Sequence, residues 1–163
     1  MFSIGDTVIY GADGVCRIVD IQTLDLTGDS VTYYVLLPES ENGSKIFVPT
    51  ENSALTERIQ PLLSKDEIVE LVENVKPCEP FWSENTNIRK QRYSEAVNGG
   101  DRGMMICLIR ELNERKKTLT GKRKRFSVTD ERYFKLAQKI LYEEFSRAIP
   151  MKFEDLVPFV CGE

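Results

Sequence analysis

Over the first sixty residues apolar and polar positions tend to alternate, and from Ser64 onward the apolar ones recur at helical spacing. Alternation puts every second side chain on one face of a strand, whereas recurrence at three or four positions lines one side of a helix. Thr7 to Tyr10 and Val15 to Ile21 are rich in β-branched residues and are separated by Gly11-Ala-Asp-Gly14, a pattern that predicts a hairpin. Leu26 to Ser30 then turns the chain into Val31 to Leu37, with Val31, Tyr33, Val35 and Leu37 on one side and Thr32, Tyr34 and Leu36 on the other. This strand is expected to be central. A polar stretch with Asn42-Gly43 leads to Lys45 to Val48, stopped by Pro49, and a fifth strand is expected near Arg58 to Gln60. Five short strands predict a small antiparallel β-barrel of SH3-like or Tudor-like shape.

Ser64-Lys-Asp-Glu67 has the form of a capping box, and Ile68, Leu71, Val72 and Val75 follow at helical spacing, so a helix is predicted to about Val75. Lys76-Pro-Cys-Glu-Pro80 ends it, because proline restricts the residue before it and clashes with the preceding turn. That leaves Phe81-Trp82 at the expected entrance of a second helix. Asn98-Gly-Gly100 interrupts the chain again, and Asp101 is expected to cap a third helix with the stripe Met105, Leu108, Ile109 and Leu112. Arg115 to Arg125 is read as a basic connector. Ser127-Val-Thr-Asp130 is a second capping-box match, opening a helix whose buried face is marked by Tyr133, Leu136, Ala137, Ile140, Leu141, Phe145 and Ala148. Pro150 ends it, and a short helix from about Lys152 closes the bundle. The fold class is therefore α+β, with a strand domain over 1–62 and an all-α domain of about five helices over 63–163.

Composition narrows what such a chain does. It has 41% apolar and 29% charged residues, the balance of a globular protein, and no run reaches the roughly 20 apolar residues that cross a bilayer. The start, Met-Phe-Ser-Ile-Gly-Asp, lacks the basic and apolar stretches of a signal peptide, so a cytoplasmic protein is expected. Cys16, Cys78, Cys107 and Cys161 form no CxxC pair, and there is no histidine to complete a zinc site. We read them as free thiols. Without histidine, Ser-His and Cys-His catalysis are excluded, and no motif points to a catalytic carboxylate pair, a cofactor or a metal. An enzyme is not expected. The net charge of −4 hides an asymmetry, since residues 1–63 carry three Lys/Arg against nine Asp/Glu, while 64–163 carry nineteen against seventeen. Any contact with nucleic acid belongs to the second half, and mixed charge there implies weak, salt-dependent binding.

Phe2-Ser-Ile-Gly-Asp-Thr-Val-Ile-Tyr10, Asp13-Gly-Val-Cys-Arg-Ile18, Tyr33-Tyr-Val-Leu36 and Ile46-Phe-Val-Pro-Thr-Glu-Asn52 together resemble the N-terminal module of CarD proteins, a module also similar to one in the transcription-repair coupling factor. The resemblance continues through Gly100-Asp101, the helix from Leu108 to Arg115, and Asp130-Glu-Arg132 with Leu141-Tyr-Glu-Glu144. It implies a non-enzymatic transcription regulator, monomeric and without a membrane anchor. Its barrel would pair with the β subunit of bacterial RNA polymerase, and its helical domain would touch the upstream edge of the melted promoter without reading sequence.

The same resemblance marks candidate residues. An exposed strand edge can extend a partner's sheet through main-chain hydrogen bonds, and Lys45 to Val48 and Val31 to Leu36 are the candidate edges. Leu24, Tyr34, Lys45 and Phe47 are the expected protein-binding positions; some relatives place arginines where this chain has Leu24 and Phe47, which implies a more apolar or a shifted contact here. Trp82, the single tryptophan, is expected either as a wedge between base steps or as a core residue. Arg89, Lys90 and Arg92, with Lys122, Arg123, Lys124 and Arg125, are suited to phosphate contact, the alternative being an ordinary solvated face.

Overall fold

A computed structural model describes residues 2–25, 27–39 and 44–163. The Asn42-Gly43 turn, and Leu26 at the head of the preceding turn, fall outside the described residues. The chain forms two compact units, Met1–Leu62 and Leu63–Glu163.

The first unit is an antiparallel five-stranded sheet of β1 (Thr7–Tyr10), β2 (Val15–Asp25), β3 (Ser30–Pro38), β4 (Ile46–Pro49) and β5 (Ile59–Pro61), in the order β4-β3-β2-β1-β5. A single 3-10 turn over Gly11–Asp13 joins β1 to β2, and Gly14 leaves it at φ 70° and ψ −138°, a conformation that a side chain would oppose. A register shift between Ile18 and Asp20 bends β2 against β3. The bend accompanies a curled sheet, because Val48 from β4 and Ile59 from β5 share one buried cluster with Val8, Cys16, Ile18, Tyr34 and Leu36. Helix α1 (Ser53–Thr56) is a single turn between β4 and β5 whose N-cap is Asn52. β3 is paired on both sides, by β2 and β4, so it is an inner strand as expected, and the expectation that Val31 to Leu36 offers an edge is corrected.

The second unit contains α2 (Lys65–Asn74), α3 (Thr86–Asn98), α4 (Arg102–Gly121), α5 (Val128–Ala148) and α6 (Leu156–Cys161). Both halves of the first capping box form: Ser64 N–H donates to Glu67 Oε1 at 3.1 Å, and Glu67 N–H to Ser64 Oγ at 3.2 Å. Between α3 and α4, Gly100 takes φ 74° and Asp101 then accepts from Met104 N–H at 3.1 Å, so the break and the cap lie where the sequence puts them. Helix α4 buries Met105, Leu108, Ile109 and Leu112, with Ile106 added to the stripe. It also runs through Arg115 to Gly121, so the connector expected from Arg115 begins only after Gly121. The helix stops only where Arg123 turns to φ 56° and Lys124 N–H donates to Leu119 O at 2.8 Å. On α5 the fully covered residues include Phe134, Gln138 and Glu144 beside the expected Ala137, Ile140, Leu141 and Phe145, while Tyr133, Leu136 and Ala148 are only half-buried. Glu144 is tolerated inside because Arg102 clamps it with two N–H bonds at 2.6 and 2.7 Å and Leu63 N–H adds a third at 2.9 Å. Arg110 ties α2 to α6 by donating to Val72 O at 2.9 Å and Val160 O at 2.7 Å. No helix among the described residues is long and apolar enough to cross a membrane.

Candidate functional site

Among the described residues β4 pairs with β3 alone, so its other side is an edge of the sheet. The ladder determines what that edge presents. Thr50 N–H donates to Thr32 O at 2.9 Å, and bonded and non-bonded pairs alternate in an antiparallel ladder. Val48 opposite Tyr34 and Ile46 opposite Leu36 therefore turn their backbone groups toward β3, whereas Phe47 opposite Val35 turns its own outward. Pro49, opposite Tyr33, falls in a non-bonded pair, where its missing N–H costs no bond to β3. The Phe47 ring is 44% exposed and rests edge-on against Tyr33, with centroids 6.2 Å apart. Exposed Lys45 directly precedes the strand.

The other two expected contact positions differ from each other. Leu24 is half-buried and faces Val31 near the end of the β2–β3 hairpin. Tyr34 is only 8% exposed and belongs to the inner cluster, with the Phe2 ring packed edge-on against it at 6.1 Å. It is a core residue and not a surface contact, because alternation along β3 turns it inward with Leu36.

In the helical unit, Trp82 does not begin a helix. Asn85 outcompetes it as the start of α3 by accepting Asn87 N–H at 3.0 Å and Ile88 N–H at 3.3 Å, which leaves Phe81-Trp82 in the extended segment after Pro80. Glu111 of α4 holds that segment, its two oxygens accepting Phe81 N–H at 2.9 Å and Trp82 N–H at 3.0 Å. One turn further along α4, the Arg115 guanidinium lies 4.0 Å from the centre of the indole, and that of Arg89 from α3 lies 5.6 Å away. The indole is half-buried, and its Nε1–H is enclosed with no hydrogen-bond partner among the described residues.

Both guanidiniums lead to one carboxylate. Asp130, 1% exposed, has Arg89 Nε at 3.1 Å from one oxygen and Arg115 Nε at 3.5 Å from the other. Neither N–H is aligned for a hydrogen bond, so these are ion pairs. The aligned bond comes from Tyr93, whose hydroxyl donates to Asp130 Oδ1 at 2.8 Å. Burial first, and then that bond, push the Tyr93 phenol well above its ordinary range, so it remains a donor. The expected second capping box is thus half formed. Ser127 Oγ accepts Asp130 N–H at 3.0 Å, but the carboxylate faces the arginines and Tyr93.

The basic candidates divide accordingly. Arg89 is 8% exposed and committed to Asp130 and to Ser83 O at 2.8 Å, so its expected contact with phosphate is corrected to a buried structural role. Arg92 is exposed and reaches Trp82 O at 3.4 Å, and Lys90 is exposed beside it on α3. Lys122, Arg123, Lys124 and Arg125 are all exposed, between α4 and α5. Glu111, Arg115, Tyr93 and Asp130 are not among the sequence's candidate site residues, although the Ser127-to-Asp130 spacing and the resemblance over Leu108 to Arg115 and Asp130 to Arg132 run through three of them.

Among the described residues no group of three or more metal-ligating side chains comes together, and the four cysteines are unbridged. No curated protein matches the chain. Residues 2–63 match the family model of the CarD-like/TRCF RID domain, which covers the whole strand unit with its open β4 edge. Over residues 2–63 the chain is therefore similar to the CarD-like/TRCF RID domain, a family of RNA polymerase-interacting modules.

Proposed function

We propose that the chain regulates transcription by holding the β subunit of bacterial RNA polymerase along strand β4, while its helical unit touches promoter DNA at the upstream edge of the melted region. The observation that carries the polymerase half is the outward backbone of Phe47 beside an exposed aromatic ring, within the unit that matches the interaction domain. An edge of this kind adds to a partner's sheet through main-chain bonds, and the ring supplies apolar area. Lys45 and, at the hairpin end, Leu24 flank the contact in this reading.

The DNA half is supported by a half-buried aromatic on a non-helical segment with exposed Lys90 and Arg92 nearby and a basic connector at Lys122 to Arg125. These cations suit phosphate positioning without base readout. Trp82→Ala in the full chain should leave polymerase affinity unchanged and shorten the lifetime of open promoter complexes. Lys90→Ala with Arg92→Ala should act in the same direction, with an effect that shrinks as salt rises. Normal lifetimes with a lowered melting temperature for Trp82→Ala would contradict the DNA contact. They would favour a second reading, a polymerase-binding module with no DNA contact, which the enclosure of the indole by Arg89, Arg115 and Asp130 supports.

A further inference from the structure

The Trp82 cluster contains a division of labour that its sequence neighbourhood does not show. The backbone of residues 81 and 82 is fixed by Glu111, but the indole has no hydrogen bond of its own among the described residues, and two guanidiniums lie over the ring. The two guanidiniums would repel each other in the absence of a counter-ion, and Asp130 supplies it, with one oxygen toward each. Tyr93 then holds the carboxylate from its buried side. We propose that Asp130 is a positioning residue for Trp82: acting through Arg89 and Arg115 from the first turn of α5, it sets how the indole is oriented and how far it is exposed.

Several features agree. Asp130 gives up the return bond of a capping box, worth having at a helix start, to face this cluster. Arg115 is the more exposed of the two arginines, its side chain at 32% against 10% for Arg89, and also the closer to the ring, so it is the adjustable side of the bracket. An anion that drew Arg115 away would uncover one face of the indole and leave Arg89 paired. The role of the released indole on DNA rests on the proposed function; the positioning itself does not.

Because Trp82 is the single tryptophan, its fluorescence reports the claim without DNA or polymerase. Acrylamide quenching of the full chain, excited selectively at the indole, should rise about twofold in Asp130→Asn, with the helical circular dichroism retained. Loss of a buried counter-charge is strongly destabilising. If Asp130→Asn does not fold, Arg115→Met decides the matter, since it keeps the Arg89–Asp130 and Tyr93–Asp130 contacts while removing the stacked cation, and it should show the same rise. Tyr93→Phe, which keeps every charge, should lower the melting temperature with quenching unchanged. Unchanged quenching in a folded Asp130→Asn or Arg115→Met overturns the proposal, as does an equal rise in Tyr93→Phe, which would mean general loosening. Raised quenching with unaltered open-complex lifetimes upholds the positioning and removes the DNA contact.

Discussion

Phe47 and Tyr34 lie on neighbouring strands and look alike in sequence, yet they answer different questions. Phe47→Asp removes a ring that is 44% exposed and packs edge-on against Tyr33, so it should cost about 1 kcal/mol of stability. If the β4 edge is the polymerase contact, the same change should weaken binding about tenfold, since a charge then enters an apolar interface centre. A large drop in melting temperature with unchanged affinity would contradict this. Tyr34→Ala should instead cost about 3–5 kcal/mol, because it empties the inner cluster. The thiols provide a separate check on local environment. Cys78 is exposed, whereas Cys107, whose thiol donates to Lys76 O at 3.5 Å, is pushed up to about 12, first by burial and then by the neighbouring Cys78 thiol, and Cys161 is raised mainly by burial. Since the thiolate is the nucleophile, a maleimide at about pH 8 should label Cys78 first and Cys107 far more slowly, with buried Cys16 unreactive. Mass spectrometry of the labelled protein measures that order, and equal rates at Cys78 and Cys107 would contradict it.

At the scale of elements, the ends of helices show both what the sequence discloses and what it hides. Ser64 and Glu67 are legible because a capping box is a local motif with fixed spacing. Ser64→Ala should cost about 1 kcal/mol, read as a lower melting temperature. The Glu67 carboxyl is held below its ordinary range, first by the Ser64 backbone N–H and then by the Ser64 hydroxyl. A depressed folded value means that its contribution is complete above the unfolded carboxylate range and disappears as the pH falls through the folded value. Protection factors of the amides in the first turn of α2, taken relative to the intrinsic exchange rate at each pH, should therefore fall on acidification below the ordinary glutamate range, and Glu67→Gln should reduce that response; equal protection in both proteins at all pH values would contradict it. The strands were legible for a similar reason, since alternation over four to nine residues survives any tertiary context. The length of α4 was not. Its last turns carry Glu114, Arg115, Lys116 and Lys117, a charge run that suits an exposed helical face as well as a loop, and the stop depends on the backbone of Arg123. The Trp82 cluster was hidden for a different reason, because it draws one residue or two from each of α3, α4 and α5. Charged residues read as surface in sequence unless their partners are known, and here the partners are up to 41 positions apart, from Arg89 to Asp130.

At the scale of the whole molecule, charge and chemistry follow the two compact units. The strand unit is strongly acidic and carries the family match, while the helical unit is slightly basic and holds the tryptophan. A contact made by main-chain bonds and an aromatic ring should depend little on salt, and a contact made by cations on phosphate should depend on it steeply. The central claim is that the strand unit by itself binds RNA polymerase. The most direct measurement is competition: residues 1–62, shown by circular dichroism to be folded, against the labelled full chain for purified bacterial RNA polymerase. The fragment should displace the full chain with an affinity within about tenfold of its own, the helical unit adding little without DNA. A folded fragment that fails to compete at concentrations where the full chain binds would contradict it.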